Sequence, residues 1–337
     1  MVLVIGGAGY IGSHMVKWLL QHGEEVLVLD NLEKGHRAAV VGSPLVEGDL
    51  RRRDDLERVF RRHPIECVMH FAAYASVGES VQNPAAYYEN NVAGCCALLE
   101  AMRAHKVDKF IFSSSAAVYG EPVTVPIPED HPKNPTNPYG ETKWVMERML
   151  QWYGAAYGIR SISLRYFNAA GADPEGVLGE DHHPEEHLIP VALLAVLGKR
   201  GKLRIFGTDW ATPDGTCIRD YVHVCDLADA HFRALQALRN GAKTTAYNLG
   251  SGHGFSVKEV IRTVEKVTGQ AVPAEAAPRR AGDPARLVAG SERIKAELGW
   301  NPQYAQLEVI IQHAWNWRKA HPDGYGDSAP GQRPQSR

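Results

Sequence analysis

The sequence lacks a long apolar run, a leader-like start and an excess of either charge. Its longest apolar stretch, LIPVALLAVLG at 188–198, is too short to cross a bilayer and predicts a buried or amphipathic helix. The opening VLVI runs into glycines instead of a cleavage site, so we expect no signal peptide. Basic and acidic residues nearly balance, 37 against 39, and no basic stripe favours nucleic acid. We therefore expect neither a membrane nor a nucleic-acid partner.

Cysteine is also scarce. The chain has five cysteines, which are Cys67, Cys95, Cys96, Cys217 and Cys225. None shows C-x-x-C spacing, so the sequence indicates neither a disulfide framework nor a cysteine-based zinc site. The cytoplasm is the expected compartment. At 337 residues the chain is long enough for one large domain or two modest ones.

Short apolar stretches alternate with helical patterns in the first half of the chain. Helical patterns are expected over 10–22, 53–62 and about 84–105. The expected strands are VLVI (2–5), VLVLD (26–30), LVEGDL (45–50), CVMHFAA (67–73), KFIFSSS (109–115) and SISLRYFN (161–168). This alternation predicts an α/β fold, a Rossmann-like doubly wound parallel sheet with a smaller C-terminal substrate-binding lobe.

The second half has a looser pattern, with more proline and glycine. We expect a first domain over 1–168 that carries the sheet and a second part over 169–320, some of whose strands rejoin that sheet. The stretch 321–337 is rich in Gly, Pro, Ser and Gln and is expected to be a disordered tail.

Three glycines, Gly6, Gly9 and Gly12, directly follow the first strand and open the first helix. Glycine permits a tight turn and lets the backbone approach a pyrophosphate. The N-terminus of the following helix offers free N–H groups to an anion. The spacing, G-x-x-G-x-x-G, is the variant that resembles short-chain dehydrogenase/reductases.

An acid, Asp30, closes the second strand eighteen residues after Gly12. A carboxylate at this position accepts hydrogen bonds from an adenosine ribose and repels a 2′-phosphate. The sequence therefore favours NAD over NADP as the cofactor. Lys34 and Arg37 lie nearby and leave NADP open at this point.

A tyrosine and a lysine, Tyr139 and Lys143, stand four residues apart in PYGETKW (138–144). A phenol titrates near pH ~10, and a positive charge from Lys143 or from an oxidised nicotinamide lowers that pKa. A tyrosine tuned in this way is a usable general base for a substrate hydroxyl. Ser115 ends an expected strand, where ligands sit in such sheets, and can hydrogen-bond the same oxygen. This set predicts hydride transfer between a substrate and NAD.

These residues resemble the extended short-chain dehydrogenase/reductases, and within them the family of UDP-glucose (UDP-galactose) 4-epimerases. The resemblance covers about 1–320 and follows a fixed order of motifs. They are GGAGYIGSH (6–14), DNL (30–32), GDL (48–50), HFAA (70–73), YYENNVAG (87–94), SSSAAVYG (113–120), NPYGETK (137–143), LRYFNAAGAD (164–173), GTCIRDYVHV (215–224), YNLGSG (247–252) and PRRAGDP (278–284).

The resemblance implies roles for individual residues. Tyr139 is the implied base, Lys143 its tuning partner and a ribose ligand, and Ser115 the group that polarises the hydroxyl. The implied NAD-binding residues are Gly6, Gly9, Tyr10, Ile11, Gly12, Asp30, Asn31, Asp49, Leu50, Phe71, Ala72, Ala73, Asn90 and Lys143. The implied UDP-sugar-binding residues are Ser115, Tyr139, Tyr166, Phe167, Asn168, His187, Leu188, Arg219, Tyr221, Arg280 and Asp283. Two arginines suit a diphosphate, and an acid suits ribose hydroxyls.

The chain departs from the family pattern in places. Ala75 replaces a lysine of many relatives, which puts one cofactor contact in doubt, and His187 replaces an asparagine of some. Leu287 replaces a bulky tyrosine of certain relatives, so we also expect activity on UDP-N-acetylhexosamines. Ala116 and Ala117 stand where sugar-nucleotide dehydratases and decarboxylases carry acids, which disfavours both alternatives. A dinucleotide-sensing regulator remains as a non-enzymatic alternative, although such relatives usually lose the tyrosine–lysine pair.

The stretch EDHHPEEH (180–187) brings three histidines close to several acids. The spacing fits no specific metal pattern, and Pro184 breaks any helix, so we expect no metal site and favour a loop leading to a substrate-contacting helix. The resemblance also implies a homodimer in which each subunit contributes two helices.

Overall fold

The structure, a computed structural model, describes residues 1–280 and 283–326. Residues 281–282, inside PRRAGDP, and residues 327–337, inside the expected tail, lie outside the described residues. The described start of that tail makes specific contacts. The Tyr325 amide donates a hydrogen bond to Asp181 Oδ2 at 3.0 Å, and its hydroxyl donates to the Gly179 carbonyl at 3.1 Å. The folded part of the chain thus extends past residue 320, where the tail was expected to begin.

Strands and helices alternate through the first half, as expected. The strands are β1 Val2–Ile5, β2 Val26–Asp30, β3 Leu45–Glu47, β4 Cys67–His70, β5 Lys109–Ser115, β6 Arg160–Tyr166, β7 Asn168–Ala170, β8 Leu203–Phe206, β9 Ile218–His223, β10 Thr245–Leu249, β11 Gly254–Ser256, β12 Ala274–Ala277 and β13 Arg286–Leu287. The α-helices are α1 Tyr10–Gln21, α2 Arg53–Arg62, α3 Val77–Gln82, α4 Pro84–Tyr87, α5 Cys95–Ala104, α6 Pro138–Tyr157, α7 Leu188–Val196, α8 Val224–Arg239, α9 Val257–Thr268, α10 Glu292–Leu298 and α11 Leu307–Ala320. A π-helical turn, Tyr88–Gly94, lies between α4 and α5.

A parallel sheet forms the centre of the molecule, with the strand order β10-β6-β5-β4-β1-β2-β3. β3 and β4 are shorter than the sequence predicts, since they end at Glu47 and His70. β1, β2 and β4 are buried along their whole length, because helices cover both faces of the sheet. The predicted doubly wound α/β fold is confirmed.

An apolar cluster lies on each face of this sheet. On one face α1 and α8 contribute residues such as Leu19 and Leu235. On the other face α2, α5 and α6 contribute Leu56, Leu99 and Met146. Because α8 belongs to the second half of the chain, that half supplies part of the core around the first sheet.

The second half also forms its own small layers. β9 lies between β11 and β13 and pairs with β7 as well, while β8 pairs with β12. Helices α7, α9 and α11 enclose a third apolar cluster around Ile189, Val260 and Ile310. α7 is formed by the apolar stretch at 188–198, which the sequence predicts to be a buried or amphipathic helix, and most of its residues are buried. Among the described helices, none has the length and apolar character needed to span a membrane.

Candidate active site

The turn after β1 and the first turn of α1 bring Gly6, Gly9 and Gly12 together at the carboxyl end of the sheet. A Cβ on Gly12 would lie 2.1 Å from the Gly6 carbonyl oxygen, so the turn requires glycine there. A Cβ on Gly9 would meet the same oxygen at 3.4 Å and nothing closer, so that side of the loop is open. Because Gly9 precedes α1, no side chain caps the helix, and its first amides, at Tyr10, Ile11 and Gly12, are available to an anion. These features fit the pyrophosphate of a dinucleotide.

Asp30 ends β2 beside this loop and is buried. Its Oδ2 accepts a hydrogen bond from the Ala8 amide at 2.9 Å, and its Oδ1 accepts one from the Leu32 amide at 2.8 Å. Burial raises the pKa of Asp30, and these hydrogen bonds oppose that rise. Each oxygen keeps a lone pair for a ribose hydroxyl. Arg37, one of the residues that left NADP open, pairs with Glu47 at 2.5 Å instead of facing Asp30.

Asn31 and Asp49 meet at the same edge of the sheet. Asn31 Nδ2 donates to Asp49 Oδ2 at 3.1 Å, and Arg51 Nε contacts both oxygens of Asp49 at 2.9 and 3.1 Å. Burial alone would raise the pKa of Asp49, but hydrogen bonds from Arg51 and Asn31 lower it to about 2. Leu50 follows and is buried in the adjacent apolar cluster. The Asp49 carboxylate therefore remains ionised at any physiological pH.

Phe71, Ala72 and Ala73 follow β4, the strand beside β1. The amides of Phe71 and Ala72 donate to the Ile5 carbonyl at 2.8 and 3.2 Å, which draws this segment against the glycine loop. Asn90 is buried in the π-helical turn, where its Nδ2 donates to Asn91 Oδ1 at 3.0 Å. Single π turns inside helices are frequent at functional sites.

Tyr139 lies in the first turn of α6, beside the end of β5. Asn137 caps this helix, since its Oδ1 accepts a hydrogen bond from the Gly140 amide at 2.9 Å, and Pro138 begins the helix. Ser115 ends β5, and its Oγ accepts a hydrogen bond from the Ala117 amide at 3.2 Å. Burial raises the pKa of Tyr139, and the interaction with Ser115 lowers it only in part.

Lys143 lies one turn further along α6. Its ammonium is 5.8 Å from the centre of the Tyr139 ring, donates to the Ser113 carbonyl at 2.7 Å and lies 4.9 Å from the centre of the Phe112 ring. Burial lowers the pKa of Lys143 to about 8. The sequence predicts that Lys143 lowers the pKa of Tyr139, whereas in this structure that pKa is raised. The reason is that the phenol is desolvated and the ammonium is directed at a main-chain carbonyl.

A small pocket lies among β7, β9 and the start of α7. Its lining includes four of the residues predicted to contact the substrate, namely Asn168, His187, Leu188 and Tyr221. Asn168 is held there by its Nδ2, which donates to the Asp220 carbonyl at 2.8 Å. The structure thus brings these four residues together from three separate stretches of the chain.

Tyr166 and Phe167 lie between this pocket and the predicted catalytic residues. The Tyr166 hydroxyl hydrogen-bonds Ser113 Oγ, two residues before Ser115 on the neighbouring strand. Phe167 packs on a small apolar cluster that contains Ala116. Tyr166 is the β6 partner of Ser115, and Phe167 follows it.

The predicted diphosphate ligands lie on β9 and on the segment after β12. Arg219 Nη1 donates to two main-chain carbonyls at 2.9 Å, and its Nη2 lies 3.7 Å from Asp283 Oδ1. The Arg280 guanidinium lies 3.9 Å from the centre of the Phe206 ring. The structure pairs Arg219 with Asp283 and places Arg280 against β8.

Side chains that the sequence analysis did not single out fix the position of α6. Glu147, one turn beyond Lys143, forms a buried bidentate ion pair with Arg165 of β6, at 2.9 and 2.5 Å. Thr142 Oγ1 accepts a hydrogen bond from Asn91 Nδ2 at 3.1 Å. The one signal in the sequence is Arg165 itself, a charged residue between Leu164 and Tyr166 near the end of an expected strand.

The glycine loop, the acid after β2 and the tyrosine–lysine pair at one sheet edge define a class of NAD-dependent enzymes. The family model described as the NAD dependent epimerase/dehydratase family matches residues 2–250, and the chain belongs to this family. Family membership confirms NAD as the expected cofactor.

Within this family the chain is similar to UDP-glucose 4-epimerases. It is 56% identical over 324 residues to the UDP-glucose 4-epimerase of Halalkalibacterium halodurans, covering 96% of this chain and 97% of that one. The crystal structure of UDP-glucose 4-epimerase from Brucella ovis in complex with NAD is 48% identical, with a TM-score of 0.91 over 93% of this chain and 97% of that one. The UDP-Glc/GlcNAc 4-epimerase of Campylobacter jejuni is 43% identical, with a TM-score of 0.83 over 95% and 99% of the two chains.

Proposed function

We propose that the protein is an NAD-dependent isomerase that interconverts UDP-galactose and UDP-glucose at C4 of the hexose. The observation that carries this proposal is the placement of Ser115, Tyr139 and Lys143 at the same sheet edge as the glycine loop. NAD held at this edge would supply the hydride acceptor at C4 and the hydride donor for the opposite face of the sugar.

Ser115 and Tyr139 handle the proton of the C4 hydroxyl. Ser115 orients the hydroxyl, Tyr139 accepts the proton, and the same phenol gives a proton back when the hydroxyl re-forms. Burial raises the pKa of Tyr139, so its action as a base depends on nearby positive charge. Lys143, 5.8 Å from the ring, is the cation that the chain itself supplies.

A 4-epimerase must hold the nucleotide firmly and the sugar loosely, because the 4-keto sugar has to turn over in the site. We assign the firm contacts to Arg219 and Arg280 for the diphosphate and to Asp283 for a ribose hydroxyl. Ala116 and Ala117 follow Ser115 and leave space around the sugar. Leu287 packs against the apolar cluster that contains Ala116. We propose that its modest size admits a 2-acetamido group, so that UDP-N-acetylhexosamines are also substrates.

We also propose a homodimer in the cytoplasm. The support for the dimer is on α6, where Trp152 is 70% exposed and Tyr157 is 55% exposed. A partner subunit packed on this helix would remove these large side chains from water. Light scattering on the purified protein should give twice the mass of one chain, and the mass of a single chain would contradict the dimer.

The activity is tested by incubating the purified protein with UDP-galactose and no added NAD, and by measuring UDP-glucose by chromatography. We expect conversion, because the cofactor is regenerated in each cycle and can stay bound. Tyr139→Phe should lower the rate by about 100-fold or more. Tyr157→Phe is the matched control, an exposed tyrosine on the same helix, and should keep the activity. No conversion even after NAD is supplied would exclude the plain hexoses and direct the assay to UDP-N-acetylglucosamine, then UDP-glucuronate, and finally to the regulator hypothesis.

A further inference from the structure

The loop before α7 folds four side chains with metal-binding atoms onto one another. We call them the loop cluster, which consists of Glu180, His182, Glu185 and His187. One oxygen or nitrogen of each side chain lies within 4.8 Å of those of the other three. The sequence analysis expects no metal because the spacing matches no known pattern, but the folded loop reaches a compact arrangement without such spacing.

Two separations within the loop cluster are close to those around a tetrahedral ion, and all four ligand atoms lie within 4.8 Å of one another. His182 Nδ1 lies 3.4 Å from Glu180 Oε1 and 3.5 Å from Glu185 Oε2. His187 Nδ1 lies 3.7 Å from Oε1, the other oxygen of the same Glu185 carboxylate. A zinc ion with bonds of about 2.0–2.2 Å places its tetrahedral ligands about 3.4 Å apart. His187 Nδ1 and Glu180 Oε1, at 2.5 Å, must separate by about 1 Å to share an ion.

Two atoms of the loop cluster are buried without a hydrogen-bond partner among the described residues. They are His182 Nδ1 and Glu185 Oε2, which face each other. The Glu185 side chain is 5% exposed, so water does not readily replace the missing partner. A buried carboxylate oxygen without a partner is costly, and a cation between the two atoms removes that cost.

Hydrogen bonds to main-chain groups of the loop hold it in this shape. Glu185 Oε1 accepts the amides of Glu186 and His187 at 2.8 and 2.9 Å. Arg318 Nη2 donates to the Glu180 carbonyl at 2.5 Å, which fixes the other end of the loop. Such outer contacts orient the ligands of metal sites.

We propose that the loop cluster binds one Zn²⁺ ion in a structural site. Imidazole nitrogens and carboxylate oxygens are accepted zinc ligands, and four protein ligands close the coordination sphere, as in structural sites. Two carboxylates balance the charge of the ion when both imidazoles are neutral. His187 immediately precedes α7 and lines the same pocket as Tyr221, so the ion fixes one wall of that pocket. The zinc proposal does not rest on the proposed activity, because the metal content is measured without substrate.

The alternative occupant of the loop cluster is a pair of protons. Burial would lower the pKa of His182, but Glu180 and Glu185 raise it to about 10, so a protonated histidine also satisfies these carboxylates. Zinc and protons compete for the same nitrogens, and the metal content of the protein decides between them.

The metal content is measured by mass spectrometry on untagged protein after dialysis into metal-free buffer. We expect about one zinc per chain, and about a tenth or less in His182→Gln and in Glu185→Gln. His183→Gln and Glu186→Gln are matched controls, because they remove the same groups from the same loop outside the cluster, and should keep the zinc. Zinc retained by Glu185→Gln at the wild-type level would place the ion elsewhere and overturn the proposal.

Measurements on the wild-type protein do not depend on the folding of any variant. Removal of the metal with a chelator should lower the melting temperature, and ZnCl₂ should restore it. CoCl₂ added to the stripped protein should give the visible absorption of tetrahedral cobalt. Protein that contains no zinc and shows no change in melting temperature or absorption with ZnCl₂ or CoCl₂ would overturn the proposal in favour of the protonated cluster.

Discussion

The buried positive charge of Lys143 lowers the stability of the fold, although the proposed chemistry requires it. Burial lowers its pKa to about 8, so below that pH the folded protein carries a poorly solvated charge. Between pH 8 and the ordinary lysine value near ~10.4, the unfolded chain keeps the proton while the folded protein releases it. The free energy of unfolding therefore rises with pH across this window.

Lys143→Met should raise the free energy of unfolding at pH 7 by about 1–2 kcal/mol, because the removed charge outweighs the lost hydrogen bond to Ser113. The same change should lower kcat by about 100-fold. Urea unfolding at pH 7 and pH 9 checks the sign, since the gain should shrink at pH 9. Lys243→Met, at an exposed lysine, is the control and should change neither quantity. A less stable Lys143→Met protein at pH 7 would show that the hydrogen bond dominates.

Leu287 is expected to limit the size of the sugar substituent that the site accepts. It packs on the apolar cluster around Ala116, Tyr119 and Ile127, near the proposed sugar site. Leu287→Tyr should lower kcat/KM for UDP-N-acetylglucosamine by about 10-fold or more and leave UDP-galactose nearly unaffected, because the ring fills the space of the acetamido group. Leu287→Met keeps the volume and serves as the control. Equal losses on both substrates would mean that residue 287 does not contact the acetamido group.

Individual residues differ in how far the sequence predicts them. Gly12 and Asp30 are predictable because a strand, a tight turn and a helix of neighbouring residues fix their surroundings. The pKa of Tyr139 is not predictable from the sequence, since it depends on how the folded chain excludes water from the phenol. Arg165 and Glu147 were not identified because their pairing is a tertiary contact between a strand and a helix.

At the scale of elements, the loop between β1 and α1 offers a matched pair of substitutions. Gly12→Ala forces a methyl group onto the Gly6 carbonyl. We expect this change to lower the free energy of unfolding by about 1–3 kcal/mol and to weaken NAD binding. Gly9→Ala meets no close atom, so stability should change by less than about 0.5 kcal/mol while NAD binding weakens. Urea unfolding and NAD retained after gel filtration measure the two effects. Unchanged NAD retention in Gly9→Ala would indicate that the pyrophosphate does not approach this residue.

Helix α6 is attached to the sheet by the buried pair of Glu147 and Arg165. Removing one partner leaves an uncompensated buried charge, so Glu147→Met should lower the free energy of unfolding by about 3–5 kcal/mol. The double variant Glu147→Met with Arg165→Met should recover a large part of that loss, because no charge remains unpaired. Denaturant unfolding of both proteins tests this. A double variant less stable than the single one would show that the pair stabilises the fold outright.

The helix expected over about 84–105 shows where element prediction reaches its limit. The structure divides it into α4, a π-helical turn and α5. Asn91, inside the π turn, bonds the Tyr74 main chain and Thr142 Oγ1, which are distant in sequence. The apolar pattern shows that the segment is helical, but the extra residue in the turn is set by these tertiary contacts.

At the scale of the whole molecule, the two halves share one sheet. β10 pairs with β6, and Asn248 of β10 accepts a hydrogen bond from the Tyr119 hydroxyl at 2.6 Å and donates to the Ile127 carbonyl at 2.9 Å. The sequence suggests that strands of the second part rejoin the first sheet but does not identify which ones, because strand order depends on long-range pairing.

This sharing predicts that residues 1–168 do not fold alone. Such a fragment lacks α8 and β10, so it exposes the apolar face that Leu227, Leu235 and Leu249 cover. We expect no cooperative thermal transition and no NAD binding from the fragment, whereas a chain of residues 1–326 should behave like the full protein. Circular dichroism and NAD titration make the comparison. A fragment 1–168 that melts cooperatively and binds NAD would establish an autonomous first domain.

The ribosome makes β10 long after β6, its partner in the sheet, and this order has a consequence during synthesis. The edge of β6 stays unpaired until Thr245–Leu249 have emerged from the ribosome, which takes about 4–16 s at the usual rates of about 5–20 residues per second. An open strand edge beside an apolar surface is a template for wrong pairing with other nascent chains. The growing chain therefore passes through an interval in which a chaperone that shields β6 would raise the yield of folded protein.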